Sequence, residues 1–366
     1  MLEESCIELS MLLRLTSKDS TNEFEPRSTQ QFDHTTMGKE RKTVIGNADN
    51  FWLHSSKQNK FDLTHPQSSS SEAISPQFDL TTSTTPITLD PQKTALVIID
   101  MQNFFLSEGF GRKKGAGHAA AKNLEQYAIP AARKAGMQVI WLNWGLTDHD
   151  INVMPPAIKR AFGFESLVDE EDEEVEAETA DGDVFREQNA EAGTPKVKPQ
   201  DTVVLENGKD KRIYKGLGSE CGQVKLADGT IVDAGRLLMR DAWNSALYPP
   251  LDTLYTQGLD LSHNPDIWIH KDRMSGMWGA RTDCEDFLQT NGIRSLLFAG
   301  VNTDQCVSGT FTDAFSKGYD CIMLRDACGT TSPEFSQQCI EFNAAKSWGF
   351  VATCEDLATG VENMAS

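Results

Sequence analysis

Two kinds of hydrophobic spacing alternate along this chain from Thr94 onward. Short unbroken apolar runs, rich in β-branched residues, are the mark of strands buried on both faces. They occur at TALVIID (Thr94 to Asp100), MQVIWLN (Met137 to Asn143), DIWIHK (Asp266 to Lys271), SLLFAGV (Ser295 to Val301), DCIMLRD (Asp320 to Asp326) and FVATCED (Phe350 to Asp356). Between them lie stretches with helical spacing, at roughly His118 to Ala135, Thr282 to Thr290, Thr303 to Ser316 and Pro333 to Ser347. Gly136 stands where the first of these helices needs a C-cap. Strand and helix in turn predict βαβ units with right-handed crossovers. The expected fold is therefore α/β: a three-layer αβα sandwich around a mostly parallel, Rossmann-like sheet of about six strands.

Two segments stand outside this alternation. Residues 1–88 are rich in Ser, Thr, Gln and Asn, as in SSSSEAISPQFDLTTSTTP, and are expected to be disordered apart from a short helix around Ile7 to Leu15. A single folded domain is expected over 89–362. About 120 residues separate its second and third strands, far more than a crossover needs, so residues 160–262 read as an insertion that covers or flanks the sheet's edge. The insertion contains an acid run, ESLVDEEDEEVEAE (Glu165 to Glu178), expected to be a solvated loop. It also contains VKLADGTIV (Val224 to Val232), which predicts a hairpin turning at Asp228-Gly229. KGLGSECG (Lys215 to Gly222) lacks the preceding strand and following Lys-Ser/Thr of a phosphate loop, and reads as a turn into that hairpin.

Composition narrows the function. With 34 basic and 54 acidic residues the formal charge is −20, which disfavours binding to a nucleic-acid backbone. No run approaches the ~18 apolar residues of a membrane span. The N-terminal MLEESCIELSMLLRL has acids where a secretory signal has basic residues, so a cytoplasmic location is expected. The eight cysteines form no C-x-x-C pair and read mostly as buried free thiols; Cys221, Cys284, Cys321, Cys328, Cys339 and Cys354 are assigned to packing.

In an open parallel sheet, ligands bind outside the carboxyl ends of the strands. The first strand ends in Asp100, the third in Lys271, and the fourth runs through Gly300-Val301 to Cys306. One rim thus collects a carboxylate, an ammonium and a thiol. A free thiol, with a pKa near ~8.5, is mostly protonated at neutral pH. A helix N-terminus, a neighbouring cation and a carboxylate that accepts its proton would turn it into a nucleophile. Strand alternation points His270, beside Lys271, to the opposite face. Asp326, ending the fifth strand, reads as a helix cap.

With these residues placed, the chain resembles the isochorismatase-like cysteine hydrolases. The resemblance rests on VIIDMQNFF around Asp100, HKDRMSGMWG around Lys271 and AGVNTDQCVSGTFTDAFSKGYD around Cys306. It implies an Asp100–Lys271–Cys306 triad and a non-proline cis peptide before Asn302, with the backbone N–H groups of Asn302 and Cys306 as an oxyanion hole. Nicotinamidases in this family add a metal site of an Asp and closely spaced histidines. Here TDHDINVMPP supplies Asp148, His149 and Asp150, but the next histidine is His263, so no metal and no cofactor is expected. True isochorismatases lack the nucleophilic cysteine. RKAGMQVIWLNWG, NGIRSLLFAGVNTDQCV and SQQCIEFNAAKSWGFV look most like the ureidoacrylate and carbamoyl-amide amidohydrolase branch, from which GLGSECGQV and LMRDAWNSALYPPL depart.

The expected function is cleavage of a C–N bond in a small amide or ureido compound through a thioester. Asn103, Phe105, Trp144 and Trp278 are candidate pocket walls. Isochorismatase-type or nicotinamidase-type hydrolysis, a redox role for Cys306, and a non-catalytic interaction protein using the acid run are the alternatives. A small-molecule substrate is the expected partner, and an acidic loop is compatible with a homo-oligomer.

Overall fold

The computed structural model describes residues 42–47, 50–66, 76–163, 165–168, 203–207, 210–214 and 216–364. Six parallel strands form the central sheet: β1 (Thr94–Ile99), β2 (Gln138–Trp144), β3 (Ile267–Lys271), β4 (Ser295–Val301), β5 (Asp320–Gly329) and β6 (Phe350–Ala352). Their order is β3-β2-β1-β4-β5-β6, and every adjacent pair is parallel. The chain first builds outward from β1 through β2 to β3, then returns to the other side of β1 with β4. The crevice between β1 and β4 is therefore the switch point at which doubly wound sheets bind ligands.

Every residue of β1, β2 and β4 is buried, which explains why these strands read as continuous apolar runs. Alternate residues feed separate cores. Leu96, Ile98 and Trp141 pack with the helices Ala116–Asn123, Ile129–Ala135 and Cys354–Glu362. Val97, Ile99 and Leu142 pack on the other face with Asp283–Thr290 and Ser308–Ser316. Gly136 ends its helix at φ 77°, the left-handed cap its sequence position demands. The last predicted strand is shorter than its apolar pattern: it ends at Ala352, because Thr353 and Asp356 form a capping box that starts a helix. Asp326 caps that same helix, accepting from the Cys354 N–H at 2.8 Å.

Residues 42–89 correct the expectation of disorder wherever they are described. They form a five-stranded sheet in the order Lys42–Gly46, Phe51–Ser55, Lys60–Asp62, Ile87–Leu89, Phe78–Leu80. Averaged composition hid the alternation that makes this work: Phe51 and Leu53 are buried in one strand, Phe78 and Leu80 in another. Leu63, Phe78, Leu80, Ile87 and Leu89 belong to the core shared with β1 and β2, so the segment borrows a core rather than building one. A polar clamp fixes it at the amino end of β5. Buried Asp320 accepts from Trp52 Nε1 and from Ser295 Oγ, and pairs with His65 Nε2, each at 2.7 Å. Asp320→Ala leaves these groups without their acceptor and is expected to cost about 3 kcal/mol of unfolding free energy. A urea titration unchanged from wild type would refute this account of the clamp. The possible helix at Ile7 to Leu15 lies outside the described residues.

The inserted segment also differs from its expected place. The hairpin is present, with Gln223–Lys225 antiparallel to Ile231–Asp233 and Gly229 at φ 89°. Residues 238–248, however, pack over the carboxyl ends of β1 and β2 rather than along a lateral edge. The N–H of Leu146 donates to Leu238 O, that of Asn103 to Ala246 O, and that of Tyr248 to Met101 O. Backbone groups just past a strand end have lost their sheet partners and need new ones. The helix Leu251–Leu259 lies nearer the start of β3, where Asp266 N–H donates to Gly258 O. The acid run beyond Val168 lies outside the described residues.

Candidate active site

The rim of the switch point brings together the three residues that the sequence places at strand ends. Asp100 follows β1 at φ 54°, a left-handed conformation that aspartate tolerates better than most residues. Its side chain is fully buried and accepts from the Trp144 N–H at 3.0 Å through Oδ1. Lys271, the last residue of β3, is 4 % exposed. Its Nζ pairs with Asp100 Oδ2 at 3.0 Å, donates to Arg273 O at 3.0 Å and approaches Cys306 Sγ at 3.5 Å. Cys306 sits in a π-turn, Thr303–Val307, that runs directly into the helix Ser308–Ser316. It therefore occupies the first turn, where helical N–H groups favour negative charge. Gly300 permits the close approach of β4 to β1: at φ 125°, a Cβ there would stand 2.0 Å from Ile99 O. The peptide between Val301 and Asn302 is cis, as the family resemblance implies.

Burial dominates the electrostatics. It raises Asp100 above the usual carboxylate value, with the Lys271 charge acting against it. Burial also pushes the Cys306 thiol up to about 12; Lys271 opposes this, whereas the Asp100 charge adds to it. The thiol therefore rests protonated beside the Asp100–Lys271 pair. Such a thiol becomes a nucleophile only as its proton leaves for a neighbouring base.

The four candidate pocket walls fall into different places. Asn103 is buried, donates through Nδ2 to Trp243 O at 3.0 Å, and leaves Oδ1 without a partner. Phe105 packs between the two cores, beside Phe104. Trp144 is buried with its ring over Lys271, Nζ lying 3.9 Å from the ring centroid. Trp278 lies at the surface: it is 52 % exposed, stacks on the Arg273 guanidinium and donates to Asp272 Oδ1. His270 points away from Lys271, accepting from Trp268 Nε1 at 3.1 Å, as alternation along β3 requires. Of the cysteines assigned to packing, Cys284, Cys321, Cys328 and Cys354 are buried and Cys221 is half-buried, but Cys339 is exposed on a helix surface. Its position in SQQCIEFN falls on the outer face of that helix, which average hydrophobicity does not show. In TDHD, Asp148 pairs with Arg236 and Asp150 forms a capping box with Thr147.

Two supporting residues carried no clear sequence signal. Gln102 clamps the neighbourhood by donating through Nε2 to Trp144 O at 2.8 Å and Ser245 O at 2.7 Å. Arg273 supplies the carbonyl that orients Lys271. The Gln102 partners lie 42 and 143 residues away, beyond the reach of any local pattern. Its place two residues after Asp100 was the one available cue.

Fold and rim together define a doubly wound α/β protein with an Asp–Lys–Cys cluster at its switch point. The Isochorismatase domain model matches residues 94–217 and 238–356, and the chain belongs to that family. Among similar proteins, the ureidoacrylate amidohydrolase RutB of Rhizobium rhizogenes is 30% identical over 285 residues, 76% of this chain and 88% of that protein. The protein of the same name from Caulobacter segnis is 29% identical over 276 residues, 74% of this chain and 87% of its own length. Similar solved structures include a cysteine hydrolase from Pseudomonas syringae pv. phaseolicola, with a TM-score of 0.44 and 16% identity, covering 75% of this chain and 94% of that one. Nicotinamidase PncA from Bacillus subtilis gives a TM-score of 0.42 and 17% identity, with 71% of this chain and 99% of that chain covered. Among the described residues, no helix is long and apolar enough to cross a membrane, and no cluster of metal-binding side chains is found.

Proposed function

We propose that the protein is an amidohydrolase that opens the C–N bond of a small ureido or carbamoyl compound with Cys306 as nucleophile. The observation that carries this reading is the Lys271 ammonium, 3.0 Å from Asp100 and 3.5 Å from Cys306 inside a buried rim. Membership of the hydrolase family and the amidohydrolase relatives at about 30% identity support it.

Asp100 takes the Cys306 proton as the sulfur attacks the substrate carbonyl, forming the S–C bond. The oxyanion is received by the N–H groups of Asn302 and Cys306, a geometry in which each donor is worth about 2.7–4 kcal/mol in the transition state. Collapse breaks the C–N bond, and Asp100 returns its proton to the leaving nitrogen. Asp100 then draws a proton from water as the water oxygen attacks the thioester, and the thiol regains its proton when the acid departs. Lys271 keeps its charge throughout and offsets the negative charge that passes between sulfur, carboxylate and carbonyl oxygen. Two buried acceptors near the end of β1, Gln102 Oε1 and Asn103 Oδ1, have no hydrogen-bond partner among the described residues. They suit a substrate bearing several N–H donors, as a ureido group does.

Ammonia release across ureidoacrylate, biuret, N-carbamoyl amino acids, nicotinamide and simple aryl amides tests the reaction class. Turnover confined to the ureido and carbamoyl members is expected; failure on every amide would refute it. The pH profile supplies a separate check. Asp100 must be ionised to accept the thiol proton, so activity falls as pH falls through its folded pKa. Burial raises that value, which puts the acid limb of kcat/KM above the ordinary carboxylate value of ~3.9. An acid limb at or below that value would contradict the assignment of the base.

A further inference from the structure

Trp144 touches all three members of the cluster, each through a different part of the residue. Its backbone N–H donates to Asp100 Oδ1 at 3.0 Å. Its ring face covers Lys271, with Nζ 3.9 Å from the centroid. Its indole nitrogen is buried without a full hydrogen bond, yet it lies close enough to Cys306 to favour the thiolate. The residue is itself held in place by two neighbours and by burial. Gln102 donates to its carbonyl at 2.8 Å, Phe162 meets its ring edge-on at 5.2 Å between centroids, and the side chain is 1 % exposed. A side chain fixed this firmly does not form an adaptable substrate wall.

We propose that Trp144 is a positioning residue whose indole face holds the Lys271 ammonium against Asp100 and Cys306. The inference rests on the proposed triad and deepens it. Three acceptors surround Lys271 Nζ, namely Asp100 Oδ2, Arg273 O and Cys306 Sγ. They leave the side of the ammonium away from them to be covered by something other than a hydrogen-bond acceptor. An aromatic face meets that need, because its negative quadrupole attracts the cation while its carbon surface excludes water. Water at this position would compete for the ammonium N–H groups and weaken its hold on the sulfur. A Lys free to turn would also stop offsetting charge at the moment the thiol loses its proton. The consequence belongs to the chemical step, so kcat should change and KM should not.

Replacement of Trp144 by a small residue would open a cavity, so the decisive variant keeps the shape. Mono- to trifluorinated tryptophan, inserted at position 144 alone because the chain has seven tryptophans, drains negative potential from the ring face with little change in volume. Stepwise loss of kcat is expected, to about tenfold across the series, with constant KM and a parallel fall in the rate of Cys306 alkylation by iodoacetamide. Fluorination also makes the indole N–H a better donor. A rise in rate along the series would therefore assign the effect to the N–H–sulfur contact and overturn the proposal. A flat series, or one in which only KM rises, would overturn it as well. Trp144→Phe, which keeps a ring, should retain more kcat than Trp144→Leu; equal loss in both counts against the proposal. The Cys306→Ala variant serves as the control. If it keeps turnover, the triad reading falls and takes this inference with it. A flat fluorination series beside an inactive Cys306→Ala protein removes the role of Trp144 alone.

Discussion

Cys306→Ala is expected to lower kcat on the amide that the wild type cleaves by on the order of 10⁴-fold or more, as loss of a nucleophile does in a covalent mechanism. The structure gives the reason. Cys306 is the thiol beside both Asp100 and Lys271, and the proposed mechanism carries the acyl group on its sulfur. The loss should come without unfolding, because only one small buried side chain is shortened. Cys306→Ser is expected to be nearly as inactive. The site already holds its thiol near 12, and a serine hydroxyl in the same enclosure is harder still for Asp100 to deprotonate. A Cys306→Ala protein with the wild-type melting curve and near-wild-type turnover would end the covalent mechanism.

Lys271→Met is the second large effect, and it should appear in both activity and stability. Met has a similar length and fills the space, but Asp100 Oδ2 loses its ion partner and Arg273 O loses its donor. Breaking a buried pair by removing one partner typically costs about 3–5 kcal/mol. Asp100 can escape part of this by taking up a proton, and its pKa is already raised by burial. That escape destroys the base, so kcat should fall by about 10²–10⁴-fold. The double variant Asp100→Asn/Lys271→Met separates the two effects, because it removes both charges together. Its unfolding free energy should recover toward wild type while activity stays lost. Joint recovery of activity and stability would show that the pair is structural.

The cluster of Asp100, Lys271 and Cys306 was legible because each of its residues ends or follows an apolar run, β1 and β4 being buried throughout and β3 in part. Such strands announce themselves as unbroken apolar runs, and their carboxyl ends share one rim whatever the loops do. The sheet was legible for the same reason, and β4 matches its predicted bounds, Ser295–Val301, at both ends. The β6 boundary was less so, since Thr353 and Asp356 act through a capping box that a hydrophobicity pattern does not see. The strands between residues 42 and 89 escaped notice because their buried residues complete a core owned by another part of the chain. Trp52 meets its acceptor, Asp320, 268 residues away. Position alone placed Trp144 and Trp278 together as pocket walls. The structure separates them: one lies on the Lys271 ammonium, and the other stacks on Arg273 at the surface. Strand-end position tells which rim a side chain reaches, whereas its neighbours there depend on the loops. The cover formed by residues 238–248 is the clearest case, because its bonds to Leu146, Asn103 and Met101 are made by backbone groups that carry no sequence signature.

The most direct test of the account is the stoichiometry of inactivation. The protein is treated with iodoacetamide, with and without substrate, and the fraction of Cys306 carboxamidomethylated is read by peptide mass spectrometry against the activity that remains. The account predicts that activity falls in direct proportion to Cys306 modification, that substrate protects both, and that modification of exposed Cys339 has no effect. Full alkylation of Cys306 with turnover intact would contradict it.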